Sequence, residues 1–351
     1  VLLPSGHTFL CGPLNLTAYA TLRIEGGSTL RFSGNKALYP LITDPYDGSL
    51  RRSPLLGGYM ATNARIDGGG VIDGNGAAWW PVTPSGLHPQ GASQIPPYLC
   101  VCSRCDGLVM RDVTFKDGPF VNLHPRRSVG VRLTNLTFDN PIDSPNTDCI
   151  DPDSVTDMVI SDSTFSCGDD HISVKGALLD GKPTPTRGLL VDNCTFLHGQ
   201  GLTIGSRVQG GVHNVTFRNS VMIGSLTGIR LKAMRKEGGV VSDVTFENLE
   251  LRAVGIMMSL AMDFHHEGVS SATPPVYERI TIRNVTGWGD IAGILDCLPE
   301  SPCAPDAFTF EDVFPDNSSE VVMPYSCGKY FAGTCKNCGA WPALCPQLTP
   351  V

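Results

Sequence analysis

Six segments of the chain close on variants of one pattern, ending in threonine and phenylalanine: LVMRDVTF at Phe115, VRLTNLTF at Phe138, MVISDSTF at Phe165, LLVDNCTF at Phe196, VHNVTF at Phe217 and VSDVTF at Phe246. ITIRNVTG, around Thr286, is a weaker copy. The phenylalanines are 23, 27, 31, 21 and 29 residues apart. Within each segment apolar and polar residues alternate with period two, the mark of a half-buried strand. Asn, Asp or Ser stands at a fixed place before the Thr-Phe pair, where a turn or a side-chain ladder would want it. A period of about 20–30 residues built from short strands, with no helical pattern, predicts a solenoid. The L-x-x-L-x-L pattern of leucine-rich repeats is absent. Stacked strands whose β-branched residues all point inward predict an all-β chain, a right-handed parallel β-helix. Each coil buries its apolar face only against its neighbours, so residues 1–351 are expected to form one domain. A β-sandwich, the competing architecture, shows hairpin turns about every 8–12 residues, and most of the sequence does not.

Composition agrees. Gly (39) and Pro (27) are plentiful and aromatics make up 7%, which favours short strands and many turns over a helical bundle. The net charge is −8 and no Lys/Arg-rich run stands out, which argues against nucleic acid as a partner. No apolar run approaches the ~18 residues that a membrane span needs. There are 13 cysteines, and neither C-x-x-C pair, Cys102/Cys105 or Cys335/Cys338, has a second pair at zinc-ribbon spacing. Cys327, Cys335, Cys338 and Cys345 crowd a loop-like tail from about residue 325 to 351. A disulfide framework in a secreted protein is the expectation, with bridges inside that tail and at least one thiol left over. Six Asn-x-Ser/Thr sequons, at Asn15, Asn135, Asn193, Asn214, Asn284 and Asn317, fit a secretory route. The opening VLLPSGHTFLCGPLNL already reads as strand and turn, so an export signal is expected to precede this numbering.

Two acidic clusters lie one coil apart. SPNTDCIDPDSV (Ser144 to Val155) follows the Phe138 strand and CGDDHISVK (Cys167 to Lys175) follows the Phe165 strand. Asp148 and Asp169 are 21 residues apart, so the stack is expected to bring Asp148, Asp169 and Asp170 together. Carboxylates that close disfavour one another's charge, and a carboxylic acid that keeps its proton beside an ionised partner is what glycoside hydrolysis uses. A lone Asp-Asp more often caps a turn; two clusters in register favour chemistry. The glycine-rich HGQGLTIGS (His198 to Ser206) offers His198 and Gln200 as polar groups close to backbone. In GIRLKAM (Gly228 to Met234), Arg230 and Lys232 project from one strand face. They are placed either to hold the acids together or to receive a substrate carboxylate.

The order NTD…D, GDD, GQGLTIGS and RLK resembles glycoside hydrolase family 28, the polygalacturonases and their relatives. VLLPSGHTFLCGPLNL, IDGGGVIDGNGAAWW, GPFVNLHP and CLPESP extend the likeness over nearly the whole chain, and the Cys-rich tail is similar to that of plant-type members. The resemblance implies a secreted, monomeric, cofactor- and metal-free enzyme that cleaves α-1,4-galacturonan or another pectic, uronate-containing polysaccharide with inversion. By motif position, Asp169 matches the general acid and Asp148 and Asp170 the pair that activates water. Arg230 and Lys232 match the contacts to the galacturonate carboxylate, and Asn146 matches a supporting asparagine. Departures accompany the match. Cys149 stands where glycine is usual, His171 where cysteine is usual, and Gln200 where the active-site histidine is usual. Gln200 cannot titrate near neutral pH, which keeps two alternatives open: a hydrolase of a modified backbone such as xylogalacturonan or rhamnogalacturonan, or a catalytically weak polysaccharide-binding β-helix. In MDFHHEG, where many members place a substrate-contacting tyrosine, His265 and His266 either make a different contact or line a loop.

Overall fold

The computed structural model describes residues 1–80, 95–264, 273–313, 326–338, 345 and 348–351. His265, His266 and the sequon at Asn317 lie outside them. The chain divides into two compact units, Val1–Ile172 and Ser173–Val351. Each is a stack of parallel coils, and the fold is the right-handed parallel β-helix that the repeat predicts. Among the described residues the helical elements are two single 3₁₀ turns, Lys36–Leu38 and Gly76–Ala78. Among the described residues, antiparallel strands are confined to two hairpins, Leu41–Thr43 with Leu50–Arg52 and Ala177–Leu179 with Lys182–Thr184. No described helix is long and apolar enough to cross a membrane.

In the first unit, the strands Thr114–Lys116, Thr137–Asp139 and Thr164–Ser166 pair in register. Phe115, Phe138 and Phe165 therefore stack face to face, fully buried, with successive ring centroids 5.2 Å apart. That spacing is one coil rise, close to the ~4.8 Å between paired strands. Asp112, Asn135 and Asp162, three residues before these rings, all have φ between 51° and 57°. Asp and Asn tolerate this left-handed bend better than other residues with a Cβ. The ladder is present as well, since Asn135 donates to Asp112 at 2.8 Å.

The repeat segments of the second unit do not share one column. In the second unit Phe196 pairs with Met222, whereas Phe217 pairs with Val191 on one side and Phe246 on the other. A second ladder runs beside the Phe196 column, Asn248 donating to Asn219 and Asn284 to Asn248 at 3.0 and 2.8 Å. Each coil makes this bend more than once, with Asn214 (φ 54°) and Asp243 (φ 57°) leading into Phe217 and Phe246. The local pattern fits either bend, so spacing alone does not separate them.

Four disulfides form: Cys149–Cys167, Cys297–Cys303, Cys327–Cys345 and Cys335–Cys338. The last two are the expected tail bridges. Cys11, Cys100, Cys102, Cys105 and Cys194 are thiols.

A buried polar cluster, not foreseen from the sequence, sits under the first hairpin. Arg126, 2% exposed, pairs with Asp44 at 2.7 Å and lies over the rings of Tyr46 and Tyr98. It also donates to His124 Nδ1 at 3.3 Å, while Tyr46 donates to Asp153 at 2.7 Å. Burial first, then the Arg126 charge, pushes the His124 imidazole from 6.5 down to about 4, against the opposing pull of Asp153 and Asp151. Between those values the unfolded chain binds a proton that the folded chain refuses, so stability is lost as pH falls from about 6.5 to about 4. The loss assigned to His124 has an upper bound of about 3 kcal/mol. His124→Asn, which keeps an acceptor for Arg126, is expected to show a smaller drop in Tm over this range. Parallel losses in the two proteins would exclude His124 as the titrating group.

Candidate active site

Asp148 and the Asp169–Asp170 pair lie on successive turns of the first unit. The backbone carbonyl of Asp148 accepts from the Asn122 N–H at 2.8 Å, and the N–H of Cys149 donates to the Asp170 carbonyl at 3.0 Å. The turns are pressed together at Gly168, whose N–H donates to Thr147 Oγ1 at 3.0 Å. A Cβ at Gly168 would collide with the Ser144 carbonyl and with Thr147, so this position of the GDD motif admits only glycine.

Asp148, Asp169 and Asp170 therefore converge as their spacing predicts, with one carboxylate oxygen from each within 4.8 Å of the others. Asp170 is fully buried and Asp169 partly exposed. Asn146, at φ 52°, donates from Nδ2 to Asp169 Oδ2 at 3.2 Å. The other oxygen, Oδ1, accepts from the Asp170 N–H at 2.9 Å. Such a group can share protons among its members and hold a water. It is also the donor set that a hard cation takes.

In the second unit, the strands Leu202–Ser206 and Thr227–Ala233 pair in parallel, setting Thr203 opposite Arg230 and Gly205 opposite Lys232. Ile229, Leu231 and Ala233 point into the core, so Arg230 and Lys232 share the outer face, both partly exposed. Gln200 precedes this strand on a turn that needs Gly201: its φ is 102°, and a Cβ there would stand 2.5 Å from the Gly228 carbonyl oxygen. Gln200 Oε1 accepts from Arg230 Nη1 at 3.1 Å. Gln200 thus serves as a neutral acceptor that orients a guanidinium.

Phe264 lies under both cations, 5.0 Å from the Arg230 guanidinium and 5.0 Å from the Lys232 ammonium. Sequence reading missed this ring. It sits inside MDFHHEG beside two histidines, and an isolated phenylalanine carries no signal that distinguishes a cation platform from core.

Comparison with known proteins agrees with these motifs. The profile described as "Glycosyl hydrolases family 28" matches residues 1–321. A probable polygalacturonase of Vitis vinifera is 27% identical over 85% of this chain, which spans 63% of that relative's length. An endo-polygalacturonase of Pectobacterium carotovorum is 28% identical over 80% of this chain and 71% of its own. The crystal structure of an exopolygalacturonase from Thermotoga maritima superposes with a TM-score of 0.78 at 23% identity, covering 97% of this chain and 79% of its own. On a stack of parallel coils and with a match of this length, the chain belongs to glycosyl hydrolases family 28.

Proposed function

We propose that the protein is a secreted, monomeric hydrolase of α-1,4-galacturonan in pectic polysaccharide, acting without metal or cofactor and with inversion at the anomeric carbon. The observation that carries this reading is the convergence of Asp148, Asp169 and Asp170 with Asn146 against Asp169. Asp169, which is partly exposed, protonates the leaving glycosidic oxygen. Asp148 and Asp170 hold the water and take its proton as it attacks. Arg230 and Lys232, held on their strand face by Gln200 and Phe264, receive the galacturonate carboxylate. The four disulfides and the exposed sequons at Asn15, Asn135, Asn193, Asn214 and Asn284 support an extracellular setting.

Gln200 favours a second reading, activity on a modified pectic backbone. Without a titratable side chain there, the site has one fewer means of adjusting its proton inventory to the usual polymer.

The stereochemical assignment has a sharp test. Inverting enzymes commonly hold their two carboxyl groups about 6.5–9.5 Å apart, and retaining ones about 5 Å apart. The closest approach here favours the second class, and the family resemblance favours the first. A third carboxylate accommodates inversion at the shorter separation, because two members hold the water while the other acts as acid. Proton NMR of a digest of polygalacturonate, run with EDTA present, is expected to show the β-anomer first. An α-anomer formed first would overturn inversion, and loss of turnover to EDTA would reassign the acids to a cation. Cleavage confined to a substituted pectic polymer, digested alongside polygalacturonate, would move the substrate to the modified backbone.

A further inference from the structure

Cys149 immediately follows Asp148, and Cys167 stands two residues before Asp169. Their disulfide crosses from one acidic turn to the other, with Cα atoms 5.8 Å apart and both residues fully buried. We propose that Cys149 and Cys167 are positioning residues for the reaction: their bridge fixes the separation of Asp148 from Asp169 and Asp170, and so how the three carboxyls share protons. This rests on the reading of those three as the reacting groups.

The bridge stands where the charges press hardest. Three carboxyls within 4.8 Å of one another repel whenever more than one is ionised, and the repulsion acts to splay the two turns. Hydrogen bonds join these turns too, from Gly168 to Thr147, Cys149 to Asp170, and Asn146 to Asp169. Each of them can lengthen at small cost, whereas a covalent tie beside the carboxylates cannot.

Its placement is not what stability alone requires. A crosslink constrains the unfolded chain according to the length of the loop it closes, whatever the chemistry beside it. Cys149 and Cys167 are 18 residues apart, as are Cys327 and Cys345 in the tail. Equal loops confer the same entropic benefit in this account, yet one of them is drawn between the two halves of the acid cluster. The sequence departures fall into place with it. Cysteine stands in place of the usual glycine just after Asp148, and His171 in place of the usual cysteine after the Asp pair, so the cysteine at this point of the chain lies on the Asp148 turn.

The test compares Cys149→Ser/Cys167→Ser with Cys297→Ser/Cys303→Ser, which removes a bridge elsewhere. Kinetics on polygalacturonate, Tm, and a ¹³C NMR titration of aspartate carboxyls are read on both and on the wild type. Opening the Cys149–Cys167 bridge is expected to lower kcat about 10- to 100-fold, as misplacement of reacting groups does, with KM changed less than about twofold. The highest-titrating carboxyl of the cluster should move towards an isolated carboxylate as the charges separate. The control should lose Tm and keep kcat. Unchanged kcat and unchanged carboxyl titration in the folded Cys149→Ser/Cys167→Ser protein would overturn the proposal and leave the bridge a stabiliser. If that protein does not fold, Cys149→Gly/Cys167→Ala, which restores the family's usual glycine, is read in its place. A wild type that does not hydrolyse polygalacturonate defeats the reading of the acids as reacting groups, while the titration still decides whether the bridge sets their separation.

Discussion

Asp169→Asn is expected to cut kcat on polygalacturonate by about 10²–10⁴-fold or more, the range that a lost general acid or base commands. The fold should survive. The side chain is partly exposed, and the substitution preserves its size while removing the transferable proton. Its two oxygens accept from the Asn146 amide and the Asp170 N–H, and an asparagine can satisfy one of these with its carbonyl. Losing the other costs about 1 kcal/mol, visible as a small drop in Tm. A folded Asp169→Asn protein with near-normal turnover would remove Asp169 from the acid's role.

The second large effect is expected at Lys232, and it requires two substrates. Methyl esterification of the galacturonate carboxylates should lower wild-type kcat/KM about ten- to a hundredfold, the equivalent of one charge-assisted contact. In Lys232→Met the same esterification should matter much less, because the charge being discriminated is already gone. Methionine suits the comparison, since its unbranched thioether can keep contact with Phe264. If Arg230 and Lys232 serve only to neutralise acids, Lys232→Met will weaken charged and esterified polymers equally and lower Tm as well. Equal losses on both substrates would defeat carboxylate recognition.

The fold was readable because its grammar is local. A left-handed Asp or Asn, two residues and an inward ring make one bend, and Asp112, Asn135 and Asp162 with their phenylalanines spell it directly. The assignment of Phe196 and Phe217 to different columns was not readable, since it depends on which bend of the coil a segment occupies, and both bends use the same words. The acid cluster was readable because Asp148 and Asp169 are one coil apart in a chain already known to coil. Phe264 was hidden because a cation platform looks in sequence like any apolar residue. Arg126 was hidden for the opposite reason: an arginine reads as surface until Asp44, 82 positions away, folds over it. Cys149 was visible as a departure, but its partner was one of twelve candidates.

The phenylalanine stack has a consequence for how such a chain can change in length. Phe138 meets Phe115 on one side and Phe165 on the other, so this column has no centre and no unique layer. Inserting or removing a whole coil renumbers the stack and leaves every ring with the same kind of neighbour. A single-residue insertion in a strand reverses the pleat and turns the ring of that coil towards solvent. Viable length changes in this core should therefore come in quanta of one coil, with other insertions confined to the turns.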